Sequence, residues 1–171
     1  SKFTTSTNII RDTDRELKYI PTPNAIRISN QLSNDFKQGI RSFNVIGSYG
    51  TGKSSFLWAI EQTLKSNKSY FGLNFLSNPK IGFIKIGEYQ SLRTSFIDTL
   101  RINDEETATE NIFSEIFNRY YDLGNKNPLL VLIIDEFGKF LEYASNNEPE
   151  KELYFIQQLA EFVNNSDNNI V

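Results

Sequence analysis

A glycine-rich segment limits the folds open to this chain more than any other feature. VIGSYGTGKSSFLWAI, residues 45–60, places three glycines, a lysine and two serines between a short apolar run and an amphipathic stretch. Glycines at 47, 50 and 52 let the backbone take positive φ or approach a ligand without a Cβ in the way. The spacing Gly47-x4-Gly52-Lys53-Ser54 predicts a phosphate-binding loop between a strand and a helix. The alternative is a glycine-rich turn that only precedes a helix.

The residue types in this loop suit a nucleotide phosphate. Backbone N–H groups from Ser48 to Ser54 would surround the β-phosphate, and the positive end of the helix dipole would add to them. Lys53 would bridge the β- and γ-phosphates as a catalytic residue, and the Ser54 hydroxyl would bind Mg²⁺. The predicted nucleotide-binding residues are Gly47, Ser48, Tyr49, Gly50, Thr51, Gly52, Lys53, Ser54 and Ser55.

Composition narrows the chemistry, since the 171 residues include no cysteine and no histidine. Disulfides, thiolate or histidine metal sites and an imidazole base are excluded, which leaves carboxylates, lysine, hydroxyls or an oxygen-bound metal. The net charge of −3 gives no overall attraction to nucleic acid, although a local basic loop stays an alternative. We expect a cytoplasmic protein without membrane contact, because neither a membrane-length apolar stretch nor a secretory signal pattern is present.

Strand and helix patterns alternate along the rest of the chain. A helix is predicted at about 23–38, opened by Thr22-Pro23 and stopped by Gly39. A buried strand is predicted at 43–46 and a second strand at 80–89. The remaining helices are predicted at 53–65, 92–100, 112–120, 137–144 and from Pro149 onward. The inward residues of the last helix would be Leu153, Ile156, Leu159, Ala160 and Val163. This alternation predicts a parallel sheet flanked by helices.

The most apolar run leads into two acids. Six consecutive apolar residues, 129–134, are typical of a parallel strand covered on both faces. Asp135 and Glu136 follow where ligands of open α/β sheets bind. Asp135 would hold Mg²⁺ through water, and Glu136 would be the catalytic general base toward the attacking water. The alternative is a solvated strand end or the acidic start of a helix.

Together the two motifs resemble those of a known family. GSYGTGKSSFLWAI and LLVLIIDEFGKFLE are similar to the Walker A and Walker B motifs of P-loop ATPases of the additional-strand, catalytic-glutamate division, especially its AAA+ and signal-transduction (STAND) branch. The chain also resembles large bacterial ATPases, some encoded in phage-defence operons. The resemblance implies a three-layer α/β/α fold, ATP and Mg²⁺ as cofactors, and roles for Lys53, Ser54, Asp135 and Glu136. It divides the chain into an N-terminal extension, 1–22, and an ATPase domain, 23–171.

The family pattern also predicts what is missing. In that family the strand after Walker B lies between the loop strand and the Walker B strand, and Ile170–Val171 would be only its beginning. An unfilled gap would leave buried backbone groups unpaired. We therefore expect an incomplete domain without its C-terminal strands and lid, completed by further sequence or by another chain. No sensor residue or lid is identified, and Arg93, Arg101 and Arg119 are either arginine fingers acting in trans or parts of solvated helix faces.

Three functions fit these patterns. The first is an ATPase that couples Mg-dependent ATP binding and hydrolysis to conformational change within a larger polypeptide or homo-oligomer, in a DNA-related or anti-phage defence process. With no sensor or lid, inactivity of the isolated segment stays open. The second is a nucleotide-gated switch that binds ATP or ADP with little hydrolysis. The third is a small-molecule kinase, which the glutamate after Asp135 and the missing arginine-rich lid disfavour.

Overall fold

The computed structural model describes residues 7–12, 14, 18–45, 52–66, 68–87 and 90–171. The chain divides into two units, Ser1–Phe75 and Leu76–Val171. The first unit contains α1 (Pro23–Lys37) and α2 (Lys53–Leu64), and the second contains β1 (Lys80–Ile86), α3 (Leu92–Thr99), α4 (Thr109–Tyr121), β2 (Pro128–Ile134), α5 (Phe137–Asn146) and α6 (Pro149–Asn165). The fold class is α/β, as the sequence predicts. Of the helices described, none is both long and apolar enough to cross a membrane.

Helix α1 begins and ends at the predicted residues. The Thr22 hydroxyl accepts a hydrogen bond from the Ala25 N–H at 3.1 Å, and Pro23 occupies the first helical position, where its missing N–H costs nothing. Gly39 adopts φ +92° and donates its N–H to the Phe36 carbonyl at 3.0 Å. A left-handed glycine is the usual helix stop because it has no Cβ to clash. The predicted helix is therefore confirmed.

The core of the first unit forms around α2. Its buried apolar residues are Ala25, Phe56, Trp58, Ala59, Ile60 and Phe71. The ring of Tyr19 packs edge-on against Tyr70, with the centroids 5.2 Å apart. Burial, and secondarily the neighbouring Tyr70, raise the pKa of Tyr19. This unit is thus held by aromatic packing on one helix.

The prediction of a strand at 43–46 is wrong for residues 43–45, which the structure describes. Residues 43–45 have no strand pairing, with Asn44 exposed and its two neighbours half-buried, and Ile46 lies outside the described residues. A strand is stable only beside a hydrogen-bonded neighbour. Among the described residues of Ser1–Phe75 no second strand is present to supply one.

The sheet of the second unit is parallel, as predicted. β1 pairs with β2 in a register that joins Lys80 to Pro128 and Ile86 to Ile134, so both strands end at one edge. The chain returns at Ile170, which forms an isolated parallel bridge with Leu130. The Leu130 N–H donates to the Asn169 carbonyl at 2.9 Å, whereas the Asp135 N–H donates to the Ile86 carbonyl at 2.8 Å. Because successive N–H groups of a strand point to opposite sides, residues 169–171 lie along the edge of β2 opposite β1.

The predicted inward face of α6 is wrong at Leu153, while Ile156 and Ala160 are half-buried. Leu153 is 49% exposed, whereas Phe155 is 2% exposed and Glu152 is 9% exposed. The ring of Phe155 lies 6.0 Å from that of Phe96, centroid to centroid, and this aromatic contact sets the rotation of the helix. Leu159 and Val163, one and two turns later, are buried as predicted.

Candidate functional site

The structure describes part of the predicted phosphate-binding loop. Gly52, Lys53, Ser54 and Ser55 are described, whereas Gly47, Ser48, Tyr49, Gly50 and Thr51 lie outside the described residues. The loop residues belong to the first unit, and Asp135 and Glu136 belong to the second. The phosphate-binding residues and the two acidic residues are therefore described separately, each within its own unit.

The start of α2 has the features of an anion site. Gly52 is the N-cap in the left-handed region at φ +81°, and Lys53, Ser54 and Ser55 occupy the first three helical positions. The first N–H groups of a helix have no partner within it, and the helix dipole places partial positive charge there. The first turn of α2 carries no acidic residue to offset that charge. This end of the helix therefore suits a phosphate group.

A residue outside the predicted set contacts this helix start. The Thr7 hydroxyl lies 2.8 Å from the Ser55 hydroxyl, within hydrogen-bond distance. Thr7 falls in the segment predicted as an N-terminal extension, and no sequence pattern connects it with residue 55. Only the three-dimensional structure reveals this contact.

Asp135 lies at the shared carboxyl edge of β1 and β2. Its N–H continues the ladder by donating to the Ile86 carbonyl at 2.8 Å, so its backbone is held as part of the sheet. The residue is only 8% exposed. One carboxylate oxygen accepts the N–H of Glu136 at 2.8 Å. The solvated strand end considered from the sequence therefore does not describe Asp135, which is buried and hydrogen-bonded.

Glu136 has an uncommon backbone conformation. It is the N-cap of α5 in the left-handed region, with φ 57° and ψ 37°. This conformation costs an L-residue with a side chain about 1–2 kcal/mol, and such strain concentrates at functional sites. The Glu136 carboxylate lies 3.8 Å from the Lys139 ammonium, with both side chains largely in solvent. The structure thus places an exposed carboxylate beside a buried one at the end of β2.

Arg93 is neither a free arginine finger nor part of a solvated helix face. Its guanidinium donates to the Glu105 carbonyl at 3.1 Å and to the Thr107 carbonyl. These bonds tie the acidic loop before α4 to α3. Arg119 is exposed on α4, and Arg101 is exposed in the turn after α3, so exposure does not decide between the two interpretations for either residue.

Oxygen donors are the only candidates for a metal site. The Ser54 hydroxyl and the Asp135 carboxylate are hard ligands of the kind that Mg²⁺ prefers, and Mg²⁺ keeps several waters when protein supplies few ligands. Within the described ranges, no group of three or more acidic side chains is arranged to hold a metal ion. The Ser54 hydroxyl belongs to the first unit and the Asp135 carboxylate to the second, and each is by itself an oxygen donor of the type that Mg²⁺ binds.

A cavity of about 630 Å³ lies elsewhere, along one face of α1. Its lining includes Pro23, Ile26, Arg27 and Asn30, but none of the predicted site residues. It is an open helix face, and we assign it no role.

Comparison with known proteins identifies no similar protein. No protein-family model, curated protein or solved structure matches the chain. The resemblance to P-loop ATPases therefore stays a prediction that rests on the two motifs.

Proposed function

We propose that this chain binds ATP with Mg²⁺ and hydrolyses it, coupling the reaction to conformational change within a larger polypeptide or oligomer. The observation that carries the proposal is the end of β2, where buried Asp135 and strained Glu136 follow a parallel strand at its carboxyl edge. Ligands of open α/β sheets bind at that edge. The motif that opens α2 supplies the complementary phosphate-binding chemistry.

Each residue has a distinct role in this proposal. The Lys53 ammonium binds the β- and γ-phosphates and stabilises charge that develops during transfer. The Ser54 hydroxyl and the Asp135 carboxylate hold Mg²⁺, which when bound neutralises phosphate charge. The Glu136 carboxylate accepts a proton from the attacking water. Because its neighbour's backbone belongs to the sheet ladder, Glu136 is carried on a rigid support.

Isothermal titration calorimetry of Lys53→Ala with ATP and Mg²⁺ tests the phosphate-binding half. We expect binding to fall below detection, while Lys37→Ala, at the exposed end of α1, keeps the wild-type affinity. Chelating Mg²⁺ should weaken ATP binding to wild type and have a smaller effect on Asp135→Asn, in which Ser54 is the remaining proposed ligand. Equal affinity of Lys53→Ala and wild type would remove the loop from the proposal.

A second candidate function is a nucleotide-gated switch that scarcely hydrolyses ATP. The observation that favours it is the exposure of the proposed base, since the Glu136 carboxylate lies in solvent 3.8 Å from the Lys139 ammonium. Thermal shift and phosphate release separate the two functions. A switch is stabilised by nucleotide, by about 2.7 kcal/mol at a hundredfold excess over Kd, without releasing phosphate. An ATPase shows both effects.

A further inference from the structure

The described N-terminal residues pack on the helix that follows the phosphate-binding loop. Residues 7–12, here called the N-terminal clasp, bond to α2 at both ends. The Thr7 hydroxyl is 2.8 Å from the Ser55 hydroxyl, and the Trp58 indole N–H donates to the Asp12 carbonyl at 2.7 Å. Ser55 and Trp58 are three residues apart and so lie on one face of the helix. The clasp therefore spans one turn at the N-terminal end of α2.

The clasp has its own hydrogen-bond structure. The Asn8 side chain accepts the N–H groups of Ile10 and Arg11, at 3.0 and 2.8 Å. The Asp12 carboxylate accepts the Asn8 N–H at 2.8 Å, and the Asp12 N–H donates to the Asn8 carbonyl at 2.9 Å. Arg11 also donates to the Asp12 carboxylate, and this hydrogen bond is the main cause that raises the pKa of Arg11. The segment is a capped turn rather than a loose tail.

Burial anchors this turn. Ile9 is 2% exposed, and Trp58 is 3% exposed. A buried indole N–H is costly without an acceptor, so the bond to the Asp12 carbonyl favours the docked clasp. The docked turn thereby holds the Thr7 hydroxyl beside Ser55, the third residue of α2.

We propose that Thr7 is a positioning residue of the nucleotide site, which holds the Ser55 hydroxyl and couples the N-terminal clasp to phosphate binding. This inference rests on the proposed function. A serine hydroxyl has one proton and two lone pairs. The 2.8 Å distance allows either hydroxyl to donate. In the proposal Thr7 donates to the Ser55 oxygen, which leaves the Ser55 proton for a phosphate oxygen at the start of α2. Two hydroxyls in series polarise each other and strengthen the second bond.

Coupling of this kind works in both directions. If the docked clasp strengthens nucleotide binding, bound nucleotide must favour the docked clasp by the same factor. Trp58, the only tryptophan in the chain, lies in the contact and reports its state by fluorescence. Nucleotide should therefore protect Trp58 from a soluble quencher.

Thr7→Val tests the proposal, because valine keeps the shape of threonine and removes the hydroxyl. We expect the Kd for ATP to rise about 5- to 10-fold, the value of one hydrogen bond. Thr7→Ser should restore affinity to within about twofold. Ser55→Ala should weaken binding at least as much, because it also removes the bond to phosphate, and the double variant should bind no more weakly than Ser55→Ala, since Thr7 acts through Ser55.

Thr63→Val is the matched control on the same helix. The Thr63 hydroxyl donates to the Ala59 carbonyl at 2.8 Å and accepts the Tyr70 N–H at 3.2 Å, so its loss affects stability. We expect a lower melting temperature with unchanged Kd. If Thr7→Val behaves in this way while wild type binds ATP, the positioning role is overturned and the proposed function stands. If wild type does not bind ATP, the proposed function fails and the inference fails with it.

Discussion

The starts of α5 and α6 are nearly identical locally and differ in what precedes them. Each helix has a glutamate N-cap in the left-handed region, Glu136 at φ 57° and Glu148 at φ 48°. Each glutamate lies near the lysine three residues later, at 3.8 Å in the first helix and 3.9 Å in the second. Glu136, however, follows buried Asp135 and a parallel strand, whereas Glu148 follows the end of another helix.

This comparison shows that the backbone conformation of Glu136 and the surroundings of Glu136 are separate features. A strained glutamate followed by a helix does not by itself define the proposed site, because Glu148 has the same conformation without a sheet edge or a buried carboxylate directly before it. What distinguishes Glu136 is its support: the backbone of Asp135 is bonded to β1, and the Asp135 carboxylate accepts the Glu136 N–H. Glu148 therefore serves as an internal control for Glu136.

The largest expected effect is on ATP turnover. Glu136→Gln should keep ATP binding and slow phosphate release by about 10²- to 10⁴-fold, because the amide cannot accept the proton of the attacking water. Glu148→Gln should leave turnover within about twofold, since an exposed pair away from the site contributes little. Steady-state phosphate release at saturating ATP measures both variants. An equal loss of phosphate release in the two variants would contradict the proposed difference between the starts of α5 and α6.

Helices and the central strands were predictable because their signals are local. Pro23 with Thr22, and the apolar run of β2, each specify their own element through capping or burial. The strand at 43–46 was not predictable in this way, since pairing depends on residues distant in sequence. The rotation of α6 depends likewise on the contact between Phe155 and Phe96 from another helix.

For the candidate site the sequence predicts which residues act, and those roles stay predictions. The motif spacing points to Lys53 and Asp135, but nothing local encodes the left-handed backbone of Glu136 or the bond between Thr7 and Ser55. The left-handed backbone of Glu136 depends on the connection between β2 and α5, where the Asp135 carboxylate accepts the Glu136 N–H. The Thr7–Ser55 bond joins residues 48 positions apart in the sequence, a separation that no periodic pattern can predict.

The second prediction concerns the packing that fixes each helix. Phe140 of α5 is 1% exposed and Phe155 of α6 is 2% exposed, in one core cluster. Replacing either with alanine should cost about 3–5 kcal/mol of unfolding free energy, measured by urea denaturation. Under conditions where both variants remain folded, Phe140→Ala should lower turnover by about tenfold or more, because α5 carries Glu136. A greater loss of turnover in Phe155→Ala would contradict the comparison.

The third prediction concerns backbone strain. Glycine removes the Cβ that opposes the left-handed region but adds freedom to the unfolded chain, so we expect a net gain of about 0.5–1 kcal/mol at either position. Glu136→Gly and Glu148→Gly should thus both raise the melting temperature. Only Glu136→Gly should abolish turnover. Destabilisation by Glu136→Gly would mean that the side chain contributes more to folding than its strain costs.

The smallest expected effect is that of the two lysines. Both ion pairs are exposed and screened, so Lys139→Ala and Lys151→Ala should each change the unfolding free energy by less than about 0.5 kcal/mol. Turnover should distinguish them, because Lys139 holds the Glu136 carboxylate along α5. Freeing that carboxylate should raise turnover about twofold, the rate equivalent of so weak a pair. Since salt screens the same interaction, 0.5 M NaCl should abolish the difference between Lys139→Ala and wild type. A tenfold fall in turnover for Lys139→Ala would instead place its ammonium among the groups that act on the phosphate.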